Sequence, residues 1–421
     1  MRRVRDITLA HRPSYWSTWA LLVYVTLRYL AFAKSNSTFG DSTGYHESSH
    51  LPLISERFLA GRRSFPVPLY WKLVHGSETT ITYAQLGLSI ACWWFLAQTV
   101  ASFVHGRWMR IAAFWAILLF SLSSTIVQWD RDLLSESVTL SLTALLFALT
   151  LRVAARPSQW LLAVTLVVAL LWGFARDSNS AAIAVLLPVL LIVFIRSKRR
   201  MVLVAALAAC AIFAADTVSA QVGHRADTSI QDLVQTRLFV DQPSAKNWMR
   251  AHGYTWSGAT NTISLYRSYL IHHPWFTLSG PLQNRPSYSD GPVTPNRLAA
   301  LYTPHLGYEK SSPRWRFPTA VQHVISPARP VVLGIWLLIA ASACALAWRR
   351  GFDRRALVPL IALAATYPQF VAVWNGDEHE VDRHALIPST IVRICLITLV
   401  VFALSTLLVH RAQRAANENP T

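Results

Sequence analysis

The stretch YWSTWALLVYVTLRYLAFAKSNSTFGDSTGYHESSHLPL, Tyr15 to Leu53, sets an apolar run directly against a polar one. Its first part, Tyr15–Ala33, is long enough to cross a hydrocarbon core and carries a single charge, Arg28. Its second part gathers Asp41, Tyr45, His46, Glu47, His50 and several hydroxyls just past the end of that run. No small-residue cleavage site follows the apolar residues, so this first span is expected to be retained rather than removed as a signal peptide.

The rest of the chain repeats the pattern. Of 421 residues, 53% are hydrophobic and 14% charged, against about 25% charged in soluble domains. Ten runs qualify as spans: Tyr15–Ala33, Ile81–Val104, Met109–Gln128, Ser137–Ala155, Gln159–Ala175, Ala181–Ile195, Met201–Val218, Pro330–Trp348, Ala356–Trp374 and Ile387–Leu408. The expected fold class is an all-α polytopic membrane protein with about ten transmembrane helices, cytoplasmic N- and C-termini, and outer loops folded into small α-rich elements. Three regions follow: a transmembrane module 1–218 with a first outer loop 34–80, an extracytoplasmic loop domain 219–329, and C-terminal helices with a short cytoplasmic tail, 330–421.

The net charge of +18 is distributed, and its distribution explains it. With alternating spans, bases such as Arg2, Arg107, Arg152, Lys198, Arg349, Arg354 and Arg411 fall on one side with very few acids. Short Arg- and Lys-rich loops set membrane orientation, so the basicity reads as an inside signal and nucleic acid is excluded as a partner. Cys92, Cys210, Cys344 and Cys395 lie within apolar spans, and no disulfide framework is implied.

The acids fall on the other side. Asp41 and Glu47 lie in the first outer loop; "WDRDLLSES" puts Asp130, Asp132 and Glu136 between spans three and four; "ARDSNS" holds Arg176 and Asp177; "WNGDEHEVDRHA" holds Asp377, Glu380, Arg383 and His384. Acids are costly deep in a bilayer, so a water-filled cleft at the outer interface is expected to hold them. In the large outer loop, Trp248, Tyr254, Trp256, Tyr266, Trp275, Tyr288, Tyr302 and Trp315 are expected mainly as packing for a small domain resting on the membrane.

These stretches together resemble the GT-C superfamily of polytopic membrane glycosyltransferases, which includes protein O-mannosyltransferases and aminoarabinose transferases. The resemblance is carried by "GDSTGYHE" after the first span, "GRRSFPVPLYWKLV" in the same loop, "WDRDLLSESVTLSL" after span three, "FARDSNSAAIAVLLPVL", and "SYLIHHPWF" before the late spans. It implies transfer of a sugar from a polyprenyl-phosphate-linked donor to a glycan, lipid or protein acceptor at the outer face of the plasma (inner) membrane, among membrane lipids. It also implies that Asp41, the first-loop acid, is the general base.

Such a donor brings its own leaving group, and no Gly-rich phosphate loop is present. The protein must supply a carboxylate to accept a proton and cations to hold the departing phosphate. Asp41 and Glu136 are the catalytic candidates. Arg383, His384, Arg176 and Lys72 are the candidates for the donor phosphate; Tyr45, Asp130, Asp132, Asp377 and Glu380 are the candidates for a substrate-binding network. Asp130 and Asp132 form a D-x-D pair, a candidate site for a divalent metal ion. Two rivals use the same features: a transporter or flippase, and a lipid-linked polysaccharide polymerase or ligase. Charge at one interface rather than the midplane favours surface chemistry over transport.

Overall fold

The computed structural model describes residues 15–32, 38–75, 77–184, 199–225, 227–235, 243–253, 262–280, 330–349, 354–376 and 381–418. Every regular element among them is helical. α1 is Tyr15–Ala31, and the segment between it and the next long helix holds α2 (Gly40–His50), α3 (Glu56–Leu59) and α4 (Pro66–Val74). Then follow α5 (Glu78–Ser102), α6 (Arg107–Ser121), α7 (Ser124–Val127), a 3-10 turn Gln128–Arg131, α8 (Glu136–Ala155) and α9 (Gln159–Ala175). Residues 177–184 are helical and are labelled α10. α11 is Arg199–Val222; short helices α12 (Asp227–Leu233), α13 (Pro243–Ala251), α14 (Thr262–His272) and α15 (Pro274–Ser279) lie beyond it. The chain ends in α16 (Pro330–Trp348), α17 (Leu357–Gly376), α18 (Val381–His384) and α19 (Leu386–Glu418).

Among the described residues five helical segments are long and apolar enough to cross a membrane, or six if the bent pair Arg107–Ser121 and Ser124–Arg131 is one span: Glu78–Ser102, Glu136–Ala155, Leu203–Val222, Leu357–Gly376 and Leu386–Arg414 are the five. α1, α9 and α16 hold shorter apolar stretches. This is a multi-pass membrane protein. Residues 185–195, most of the expected sixth span, lie outside the described residues.

The third span differs from the sequence expectation. Met109–Gln128 reads as one run, yet α6 stops at Ser121 and the segment Ser124–Arg131 turns away by 57°. The cause is local. Ser121 turns its hydroxyl back to the Leu118 carbonyl at 2.6 Å, and Ser123 opens the next helix from extended backbone. Hydroxyls competing for backbone partners interrupt a helix in this way.

Ser77 and Ser158 sit at N-cap positions, each accepting from a backbone N–H three residues on, and so start α5 and α9. The core lies among α5, α6, α8 and α19, where Trp93, Leu96, Phe120, Leu134, Ile394 and Cys395 are wholly sealed. Polar pairs add to the apolar packing: Trp172 donates to the Thr143 hydroxyl across α9 and α8 at 2.8 Å. Beyond the spans, Leu233, Met249, Tyr266 and Tyr269 form a small separate core for α12 to α15. Tyr266 donates to the Asn375 carbonyl at 3.0 Å, and Asn375 to that of Thr277 at 3.1 Å, seating these helices on the end of α17.

Candidate active site

The site begins with the placement of α2. Ser42 accepts from the Phe39 N–H at 2.9 Å, fixing the first turn, and donates to the Leu133 carbonyl at 2.8 Å. The same hydroxyl therefore closes the helix start and ties it to the segment just before α8. Ser42, Tyr45 and Ser49 form the buried face of α2, and the Tyr45 ring packs 5.9 Å from that of Trp71 on α4. Lys72 donates to the Ser49 and Leu51 carbonyls at 3.0 and 2.9 Å, satisfying the carbonyls at the C-terminal end of α2.

Asp41 then enters an alternating row of charges drawn from four parts of the chain. Its Oδ1 lies 2.5 Å from Arg63 and its Oδ2 2.7 Å from Arg383. Arg383 turns its Nε to Glu136 at 2.6 Å. Glu136 also binds Arg176, which donates further to the Arg383 carbonyl at 3.4 Å. Each position has a local reason. Glu136 opens α8, where the helix N-terminus favours an anion. Arg176 follows the last residue of α9 in extended backbone and so leaves the helix axis. Arg383 lies in the one-turn helix α18 just before α19.

The row runs from water to interior. Side-chain exposure is 27% for Asp41 and 24% for Arg63, falling to 6% for Arg383, 8% for Arg176 and 0% for Glu136. A ligand therefore approaches at Asp41 and Arg63, while Glu136 is sealed behind them. Burial pushes the Asp41 carboxyl up, but hydrogen bonds and charge from Arg383 and Arg63 outweigh it and hold the group below the ordinary carboxylate range. The Tyr45 phenol moves up, first from burial and then from the Glu136 charge, and stays protonated.

Arg63 was not among the sequence candidates, although it lies in the "GRRSF" stretch. Its guanidinium rests over the Tyr45 ring, 5.2 Å from the centroid, and a Cβ on Gly44 would meet its Nε at 2.8 Å. Gly44 thus leaves the groove along which Arg63 reaches Asp41. The available signal was two adjacent bases, Arg62 and Arg63, in segments otherwise rich in acids.

Other candidates lie elsewhere. Asp130 pairs with Arg28 of α1 at 2.6 Å and accepts from Ser137 at 2.9 Å, wholly buried among α1, α5 and α8. Arg28 is thus an interior partner and not a side chain stretched to the interface. Both Asp130 oxygens are engaged, one by Arg28 and the other by Ser137. Among the described residues no three His, Cys, Asp or Glu side chains gather at one point. Asp132 is buried, and its carbonyl accepts from Gln85 at 3.2 Å. Lys72 stays at the other end of α2. His384, half-buried, ends α18 beside Arg383. Asp377 and Glu380 lie outside the described residues.

A second ionic cluster supports the loop that carries Arg63. Arg225 contacts Asp216 at 3.0 Å, Asp177 at 3.3 Å and the Ser64 hydroxyl at 2.5 Å. Ser219 donates to the Leu59 carbonyl at 3.1 Å, and Gly223 lies against the Gly61 and Ala60 carbonyls.

No family model matches the chain, and no curated protein matches it. Among solved structures, the chain is similar to the archaeal oligosaccharyltransferase AglB from Archaeoglobus fulgidus in complex with an inhibitory peptide and a dolichol-phosphate (TM-score 0.46, 10% identity, 97% of this chain and 52% of that one). It is also similar to an Archaeoglobus fulgidus oligosaccharyltransferase tethered by a disulfide bond to an acceptor peptide containing the NVT sequon (TM-score 0.47, 10% identity, 97% and 51%). The chain spans about half the length of these proteins.

Proposed function

We propose that this protein is a membrane glycosyltransferase that moves a sugar from a polyprenyl-phosphate-linked donor to an acceptor on the outer face of the plasma membrane, with Asp41 as general base. One observation carries the reading. Asp41, the acid that the sequence resemblance assigns as base, lies with Arg63 at the half-buried end of a row of three guanidiniums and two carboxylates whose other three members are buried. Removing so many charges from water is expensive, and such groups are weak evidence of stability for its own sake.

The parts divide the reaction as follows. The acceptor oxygen attacks the anomeric carbon as the bond from that carbon to the phosphate oxygen breaks. The lipid phosphate leaves with the electron pair, and Asp41 takes the acceptor's proton. Arg63 and Arg383 meet the phosphate charge. Glu136 positions Arg383 and Arg176 and is assigned as a positioning residue, because it is fully sealed. A donor phosphate that draws Arg63 away leaves Asp41 with one cationic partner fewer, so its proton affinity rises when the donor is in place. No step is routed through a metal ion.

The test is conversion by the purified chain in vesicles of a labelled polyprenyl-phosphate sugar offered with envelope acceptors. The reading expects the label in a product from which the lipid phosphate has been lost. Label that crosses the bilayer still attached to its lipid would contradict it and favour a flippase.

A further inference from the structure

The proposed reaction uses the inner edge of α2 and leaves its outer face unexplained. That face carries Thr43, His46, Glu47 and His50, all exposed. Residues 46 to 50 read His-Glu-Ser-Ser-His, an H-E-x-x-H sequence on a helix, the spacing that sets two imidazoles on one face a turn apart. The two rings do converge. Their Nε2 atoms are 3.3 Å apart, with centroids 4.7 Å apart and planes at 78°. Two nitrogens each about 2.0–2.1 Å from one tetrahedral zinc ion would be separated by roughly 3.3 Å. The imidazoles thus already hold the separation that such an ion requires.

We propose that His46 and His50 form a surface site for one zinc-class divalent ion, distinct from the Asp41 cluster and independent of the transferase reading. Imidazole donors suit zinc, copper or nickel rather than magnesium or calcium. The supporting backbone is set before the ion arrives, since Tyr45 packs on Trp71 and Lys72 holds the carbonyls at the end of the helix. Among the described residues no third His, Cys, Asp or Glu joins the pair. The remaining positions fall to water, which makes the ion exchangeable.

The experiment is calorimetric titration with Zn2+ of the full chain, purified without a histidine tag and with no sugar donor present. The wild type is expected to bind one equivalent saturably, and excess Mg2+ is not expected to displace it. His46→Gln and His50→Gln should each lose that binding, while zinc-free melting curves stay those of the wild type because both side chains are exposed. Saturable binding that survives in the double variant, or its absence from the wild type, would overturn the proposal.

Discussion

Asp41 shows how a single side chain can be tuned by its neighbours. Its folded pKa lies below the unfolded value of about 4. Its contribution to stability is therefore present above that value and lost as pH falls through the lowered one. Removing one of the two guanidiniums should move the group back up. The acid limb of the transfer rate is thus expected at higher pH in Arg63→Gln than in the wild type, read from pH–rate profiles. Gly44→Ala gives an independent check, because its Cβ would displace Arg63 while leaving every charge in place. A lost charge-assisted hydrogen bond costs about 1.5–3 kcal/mol, so transfer should fall roughly ten- to hundredfold. Unchanged rates in this variant would count against Arg63 as a partner of the base. The acid was legible in the sequence and the arginine was not, because Arg63 reaches Asp41 from 22 residues away through a groove that only packing defines.

Among the elements, two junctions decide whether the site assembles. The start of α8 holds Glu136 between Arg176 and Arg383. Glu136→Gln leaves the buried Arg176 without its acid and Arg383 with Asp41 alone, and unpairing a buried ion pair costs about 3–5 kcal/mol. The variant should melt well below the wild type in detergent, and equal melting would show that the row is not coupled to folding. The second junction is the end of α11, where a Cβ on Gly223 would come 2.4 Å from the Gly61 carbonyl oxygen. Backbone cannot yield as a flexible side chain does, so Gly223→Ala should cost about 1–3 kcal/mol and shift the loop that carries Arg63. Lower transfer with normal membrane insertion is the expected result. Neither junction was visible in the sequence, since each joins residues far apart along the chain. The bend after Ser121 was missed for a different reason: the residues from Met109 to Gln128 read as one apolar run, whereas the hydroxyls gathered from Ser121 to Thr125 break it, Ser121 turning back to the Leu118 carbonyl and Ser123 engaging the Thr125 hydroxyl.

For the whole molecule, the sequence was a good guide to class. Low charge and long apolar runs foretold a helical multi-pass protein, and the row of ions draws on all four of the acid-bearing segments that the sequence assigns to one side. Asp130 departs from that pattern, because its partner Arg28 comes from α1 and takes it into the core. Orientation is directly checkable. In a cysteine-free background, Thr43→Cys should react with an impermeant thiol reagent from outside intact cells, and Arg411→Cys only after permeabilisation. The reverse pattern would place the Asp41 cluster on the cytoplasmic side and contradict the proposed direction of transfer.

The most direct test of the central claim is the transfer rate of Asp41→Asn, which keeps size and removes the proton acceptor. Loss of a positioned general base should slow transfer about 10²–10⁴-fold, with insertion and donor binding retained. Transfer at the wild-type rate would contradict the account, since no carboxylate at position 41 would then be needed to take the proton.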